Sequence, residues 1–479
     1  MTPLPHTGNN AADVLAELRS LRSADTPTHG GRTLAYVYDS GLAGLDELTA
    51  AAHSLAAHAN ALDPTVFPSL RRMENDLVAA AAQLLGDPQA VGTATSGGTE
   101  SCLLAVLAAR ERRPDAAAPT VVAPATAHAA FSKAAHLFGV RLVRVPVDES
   151  TFRADPERMA AACDADTVLV VASAPSYAHG VVDPVPEIAA AAEQRGIPVH
   201  VDACIGGWVL PYLRRVGAPV PSFGFENPGV SSISVDLHKY AYSPKGTSVL
   251  LHAEPGMRRG QYFAAADWPG YTMLNTTLQS TRSGGPIAAA WAALQHIGDD
   301  GYLQLAADTY AAVHDIRAGV QQVPRLRVLG EPDATLLAVA AEDGADFDLF
   351  TVADEMRDRG WYVQPQFAHA SSPVNLHLTV TASNRGSEAE FARDLADAVV
   401  AARAAGPVQL EPEVAEFIAE LDPQALTDDE FAGLLAAAGM AGGAGLPERM
   451  APVNVMLAHA APQLRERLLV EFLGELYRP

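Results

Sequence analysis

The sequence predicts an α/β fold, with a large domain built on a mostly parallel sheet and a smaller α+β lobe after it. Two observations carry this. From about residue 90 to 255, short Val/Ile-rich runs alternate with Ala-rich helical stretches, and continuous apolar strands separated by helices mark a parallel sheet covered on both faces. After Pro324 the pattern changes to shorter strands and amphipathic helices, as expected of a separate α+β unit.

The elements follow in order. Residues 1–70 read as an N-terminal arm and helix, with apolar residues at helical spacing over 44–59. A second amphipathic helix covers 70–85, opening a large domain over 71–323. Its strands are expected near 121–122, 140–145, 167–172, 198–202, 231–235 and 247–252. Residues 285–323 read as one long helix, interrupted near Gly298–Gly301. The third unit, 324–479, carries strands at 326–329, 335–340 and 375–380 with helices over 347–359 and 387–404. From Pro412 it continues as an acidic helical tail, broken by the Gly-rich run 441–445 and closed by a helix over 461–477.

Bulk composition narrows the function. Hydrophobic residues make up 49% and the formal net charge is −23. Nucleic-acid binding requires clustered Lys and Arg, so no such partner is expected. Three cysteines without a C-x-x-C pair argue for a reducing compartment and against a disulfide framework or a metal centre. The first residues do not resemble a signal peptide, and no run approaches the ~18 uncharged apolar residues of a membrane span. A cytoplasmic enzyme is the expectation.

Four segments carry chemistry. Thr95-Ser96-Gly97-Gly98-Thr99-Glu100 precedes a helix; small residues let a phosphate approach the backbone at a positive helix end. His128, in Ala127-His128-Ala129-Ala130-Phe131, could lie over a flat ring. Asp202 ends an apolar strand, where a carboxylate can pair with a protonated ring nitrogen and keep a pyridinium as an electron sink. Lys239, in Ser234-Val235-Asp236-Leu237-His238-Lys239-Tyr240, follows another apolar strand, where desolvation would lower its pKa and make it an amine nucleophile. Lys245 supplies a second cation nearby. Each feature alone has a bland explanation. Their order in one parallel-sheet domain is that of a pyridoxal 5′-phosphate (PLP) enzyme of the aspartate-aminotransferase type, with Lys239 as the Schiff-base lysine.

The chain resembles the sphingosine-1-phosphate lyases within the PLP-dependent decarboxylase group. The carrying segments are TSGGTES (95–101), AHAAFSKAAHLFG (127–139), HGVVDPVPE (179–187), HVDACIGG (200–207), DLHKYAYSPKGTS (236–248) and Asp267-Trp268-Pro269-Gly270. The resemblance implies fold type I with a seven-stranded sheet. It implies that Gly98 and Thr99 bind the cofactor phosphate, that His128 stacks on the ring and Asp202 pairs with its nitrogen, and that His238 contacts the phosphate. It places Lys245 at the catalytic face, Tyr38 toward the substrate, and Thr281 at the cofactor phosphate of a neighbouring subunit in a homodimer with shared sites.

Departures fall on the substrate side. The family segment Asn-Pro-x-His-Pro-Asp-x-Phe-Pro reads Asn60-Ala61-Leu62-Asp63-Pro64-Thr65-Val66-Phe67-Pro68, so its histidine is Asp63. An anion there would repel a substrate phosphate by on the order of a few kcal/mol at intermediate dielectric. The pocket tyrosine after Asp-Trp is Met273, and Ser-Arg-Pro-Gly reads Thr281-Arg282-Ser283-Gly284. The cofactor machinery is intact, and with no membrane segment near its N-terminus the chain looks like the soluble bacterial branch of the family. The expected activity is retro-aldol cleavage of the Cα–Cβ bond of a 2-amino-3-hydroxy substrate, phosphorylated or not, to an aldehyde and an amine. The alternative is amino-acid α-decarboxylation, with Arg282 or another cation positioning the carboxylate.

Overall fold

A computed structural model describes residues 4–437 and 447–477. The expected Gly-rich turn at 441–445 lies outside the described residues. The large domain holds a seven-stranded sheet: β1 (Val91–Thr95), β2 (Thr120–Pro124), β3 (Arg141–Val145), β4 (Thr167–Ser173), β5 (Val199–Asp202), β6 (Val230–Asp236) and β7 (Ser248–His252). Its order is β1-β7-β6-β5-β4-β2-β3. The run β6-β5-β4-β2-β3 is parallel, and β7 is antiparallel to both of its neighbours. Every residue of β2, β4, β5 and β7 is buried, which is why these strands are apolar on both faces.

Sequence reasoning missed β1. Its residues Val91-Gly92-Thr93-Ala94-Thr95 have no apolar run, and Gly92 is there for fit: an added Cβ would lie 2.8 Å from the Leu250 carbonyl oxygen. The hairpin β8 (Phe263–Ala265) and β9 (Met273–Asn275) was also not anticipated, being only three residues a side. The long helix Gly284–Gln322 is present, and its expected break is at Gly298, whose φ of 64° and ψ of 175° leave the helical region.

The small domain is an antiparallel sheet in the order β10 (Leu326–Val328), β11 (Leu336–Ala341), β13 (Asn375–Thr379), β12 (Gln364–Gln366). Helices Leu349–Asp358 and Glu388–Ala405 cover it. The N-terminal arm is not independent of it. Leu34 is fully buried among the small-domain core residues, and Thr33 bridges to Tyr362. Helices Pro412–Glu420, Asp428–Ala437, Ala451–His459 and Pro462–Leu476 close around their own apolar core, including Ile418, Phe431, Leu434 and Met456. The tail is therefore a packed unit rather than an appendage of the small domain.

Candidate active site

The parallel strands deliver their functional residues at their carboxyl ends, where open α/β sheets bind ligands. Thr95 ends β1, Ser173 ends β4, Asp202 ends β5 and Asp236 ends β6. These ends surround a cavity of about 640 Å³. Eight of the residues singled out from the sequence line it: Tyr38, Gly98, Thr99 and His128 on one set of loops, and Asp202, His238, Lys239 and Lys245 on another.

The glycine loop is built for close approach. Helix Gly98–Glu111 starts at the cavity, and a Cβ on Gly98 would meet Cys204 Sγ at 2.7 Å and the Asp236 carboxylate oxygens at 2.8 Å. Glu100 braces the loop by accepting from Ser96 N (2.7 Å) and from Leu278 N (3.0 Å). Thr95 Oγ1 and Ser101 Oγ share a 2.7 Å hydrogen bond. Ser173 Oγ, in the cavity wall, has no hydrogen-bond partner among the described residues. A helix N-terminus behind small residues, a strand-end carboxylate and a buried lysine together fit PLP.

Past β6 the chain turns, so that Lys239 Nζ returns to within 2.8 Å of Asp236 Oδ2. This corrects an expectation. Burial does push the Lys239 ammonium down, but Asp236, aided by Tyr38 and Cys204, holds it well above its ordinary value. At contact distance in a poorly screened site, the ion pair outweighs desolvation. Lys239 must therefore lose a proton before its Nζ can attack a carbonyl. Asp236 is held below the usual carboxylate range; burial raises it, but Lys239 and His238 more than compensate. Sequence reading quoted Asp236 without giving it a role, although its position three residues before Lys239 was the available signal.

His238 Nδ1 lies 3.1 Å from the Thr247 carbonyl, which fixes it as the donor nitrogen. Burial lowers this histidine's pKa, only partly offset by Asp236, so it is neutral at pH 7. His128 Nδ1 accepts from Ala130 N at 3.2 Å, which leaves Nε2 as the protonated nitrogen. Asp202 accepts from Cys204 N at 3.2 Å and Ser234 Oγ at 3.4 Å.

Lys245 lines the same cavity and is exposed. Its Nζ lies 3.4 Å from the His238 carbonyl oxygen and 4.8 Å from the centre of the Tyr38 ring. Burial of the ammonium and the nearby positive charge of Lys239 bring its pKa down to about 8. Tyr38 packs edge-on against Tyr240, ring centres 5.1 Å apart, and burial raises its pKa. It therefore stays protonated.

Cys102 and Cys204 also line the cavity, and with Asp202 their ligand atoms lie within 4.8 Å of one another. The Cys204 thiol is held well above its ordinary pKa by its hydrogen bond to Cys102 and by burial beside Asp202 and Asp236. Protonated thiols are poor metal ligands, so we read the pair as packing. Tyr177 and Gln364, linked by a 2.7 Å hydrogen bond, complete the wall. Sequence reading missed both, because Gln364 arrives from the small domain.

The expected substrate residues do not join this cavity within one chain. Asn60, Asp63, Met273, Thr281 and Arg282 are absent from its lining. Asn60 Oδ1 accepts from Arg282 N at 3.2 Å, and its Nδ2 lies 3.4 Å from Thr281 Oγ1. Asp63 is exposed and accepts from Thr65 N and Oγ1 at 2.8 and 2.6 Å. Met273 lies on the β8–β9 hairpin. The Arg282 guanidinium is already engaged, by Glu74 at 3.1 Å and the Ala94 carbonyl at 2.7 Å, which leaves little of it to hold a substrate carboxylate.

Fold and cavity together define a PLP-dependent enzyme of fold type I, a class the comparisons narrow. The pyridoxal-dependent decarboxylase conserved domain matches residues 36–341, and the C-terminal HTH domain of pyridoxal-dependent enzymes matches 412–475. The chain is 36% identical to a sphingosine-1-phosphate lyase of Dictyostelium discoideum over 83% of this chain and 74% of that one. The solved sphingosine-1-phosphate lyase of Burkholderia pseudomallei is 38% identical, with a TM-score of 0.79 over 84% of this chain and 93% of that one. A glutamate decarboxylase of Lactobacillus brevis, 19% identical with a TM-score of 0.73 over 86% and 96%, shares the fold. This chain belongs to the sphingosine-1-phosphate lyase family of pyridoxal-dependent enzymes.

Proposed function

We propose that the protein is a carbon–carbon lyase that cleaves the Cα–Cβ bond of a 2-amino-3-hydroxy substrate to an aldehyde and an amine. The carrying observation is the grouping of Lys239, Lys245 and Tyr38 in a cavity that no arginine lines among the described residues. In an α-decarboxylase the carboxylate would need a fixed cation; Arg282 is spent on Glu74, which leaves Lys245, the group that the lyase reaction uses as its base. Bound PLP supplies an electron sink for the bond at the amine-bearing carbon that stands perpendicular to its ring.

The chain supplies the rest. Lys239 would attach the cofactor, Asp202 would pair with its ring nitrogen, Gly98, Thr99 and His238 would hold its phosphate, and His128 would pack against its ring. Lys245, with a pKa of about 8, accepts the proton of the 3-hydroxyl, and the protonated Tyr38 donates to the same oxygen as the substrate docks. A base must be neutral, so kcat/KM is expected to rise with pH through about 8. Lys245→Met should remove that limb and cost about 100-fold. A profile unchanged in this variant would exclude Lys245 as the base.

We also propose a homodimer in which the partner brings the second residue set to the cavity. The segments that carry Asp63, Met273 and Thr281 also expose Val66, Leu274 and Leu278, and the helix Ala11–Leu21 buries none of its residues. Apolar surface of this kind is ordinarily covered. Asp63 then faces the substrate from across the interface, with Asn60, Met273 and Arg282 beside it. A sedimentation mass twice the 50.2 kDa chain and an about tenfold gain in kcat/KM for sphinganine 1-phosphate in Asp63→His are the expected results. A monomer, or no gain, would take Asp63 out of the substrate site.

A cytoplasmic location suits three free cysteines. Among the described residues, no helix is long and apolar enough to cross a membrane. The test of the reaction is incubation of the PLP-loaded protein with sphinganine 1-phosphate and, separately, with a panel of amino acids. Aldehyde formation supports the lyase, whereas carbon dioxide release without aldehyde would replace it with the decarboxylase.

A further inference from the structure

The helical unit after residue 412 matches a model described as a helix-turn-helix domain, yet its charge is wrong for nucleic acid. From 412 to 475 there are eleven acidic residues and three basic ones. All three are engaged within the protein. Arg449 pairs with Glu355 at 2.8 Å and Asp358 at 3.1 Å. Arg467 pairs with Glu471 one helical turn on. Arg465 donates to the Leu457 carbonyl at 2.8 Å, and its guanidinium carbon lies 4.5 Å from the centre of the Phe367 ring. A DNA-reading surface requires free cations.

What the unit does touch is the wall of the substrate side. It docks on the small domain through a specific latch. The Asp354 carboxylate accepts from Met450 N (3.0 Å) and Ala451 N (2.8 Å), capping the helix Ala451–His459. Beside the latch, Phe350 packs with Ala451 and Val455, and Phe367 joins that seam. Phe367 follows β12 directly. Gln364, on β12, lines the cofactor cavity. Gln366, Phe367 and the loop 369–372 line a second cavity of about 320 Å³. The two cavities share His128 and Tyr177 as common wall. One short segment thus contributes to both chambers, and its Phe367 is gripped from behind by Arg465. Its loop is a tight turn closed by reciprocal His369–Ser372 backbone hydrogen bonds of 2.9 Å, with Ala370 at a φ of 50°.

We propose that the C-terminal helical unit is a clamp that shapes the chamber next to the cofactor, with Arg465 as its positioning residue acting through Phe367. The second cavity then receives the part of the substrate beyond its reacting carbons. Among the described residues no lysine or arginine lines it, and burial drives the His179 pKa down to about 4. The portion accepted is therefore uncharged and largely apolar. This assignment of the chamber rests on the lyase reading above; the clamp does not.

The test uses the full-length PLP-loaded protein and the variants Arg465→Met, which keeps the apolar stem, and Arg465→Lys, which keeps the charge over the ring. Hydrogen exchange without substrate is expected to quicken about tenfold at the amides of 367–372 in Arg465→Met, with the cofactor absorbance unchanged and partial rescue in Arg465→Lys. With sphinganine 1-phosphate, KM should rise about tenfold while kcat holds. Exchange that quickens only within 412–477, with 367–372 and KM unaltered, would overturn the clamp. If the protein forms no aldehyde from this probe, the exchange result still decides the clamp, and only the reading of the chamber's occupant falls.

Discussion

Lys239→Ala is expected to lose the visible absorbance of the bound cofactor and to lower turnover by roughly a thousandfold or more. Two effects meet at this position. The amine that attaches the cofactor is removed, and no other lysine among the cavity-lining residues except Lys245 could replace it. Lys245 is a poor substitute, because its Nζ sits over Tyr38 rather than against Asp236. The second effect is structural. Asp236 is buried, and without Lys239 it keeps the Ser248 hydroxyl as a donor but no cation in contact, since the His238 imidazole 3.6 Å away is neutral. Removing one partner of a buried pair costs about 3–5 kcal/mol. Lys239→Arg separates the two effects. It retains a cation for Asp236 but no amine that attaches the cofactor, so stability should recover while the band and turnover do not. A visible band that persists in both variants would move the attachment elsewhere.

The second large effect is expected for Asp202→Asn. The side chain keeps an oxygen to accept from Cys204 N and Ser234 Oγ, so the local structure should survive. It loses the charge that favours a protonated ring nitrogen. A buried carboxylate partner shifts such a group by about three pKa units, or about 4 kcal/mol, which corresponds to about a thousandfold in rate. The cofactor should still attach, because Lys239 and the Gly98–Thr99 loop are untouched. Turnover within about tenfold of the parent would mean that Asp202 does not carry the electron sink.

Much of this was legible in the sequence because fully buried strands are apolar along their whole length. The fully buried β2, β4, β5 and β7 were placed that way, β3 and β6 by shorter Val, Ile and Leu runs, and β1 escaped because Gly92 and two threonines replace the apolar signal. The cofactor residues were legible for a related reason. Strand ends are marked by the apolar run before them, so Asp202 and Lys239 stand out as polar residues where a strand stops. The lysine's protonation was not legible. It depends on a 2.8 Å contact with Asp236 that reverses the effect of burial, and no local pattern encodes that balance. Gln364 and Phe367 were invisible for another reason: they reach the site by the packing of the small domain, across nearly 200 residues of chain in the pair Tyr177–Gln364, and Tyr177 lies in the loop after β4 with no local pattern to mark it.

The most direct test of the central claim is borohydride reduction of the PLP-loaded protein followed by peptide mass analysis. The account predicts one pyridoxyl-phosphate adduct per chain, on the peptide containing Lys239. An adduct on Lys245 or any other residue, or none at all, would contradict it.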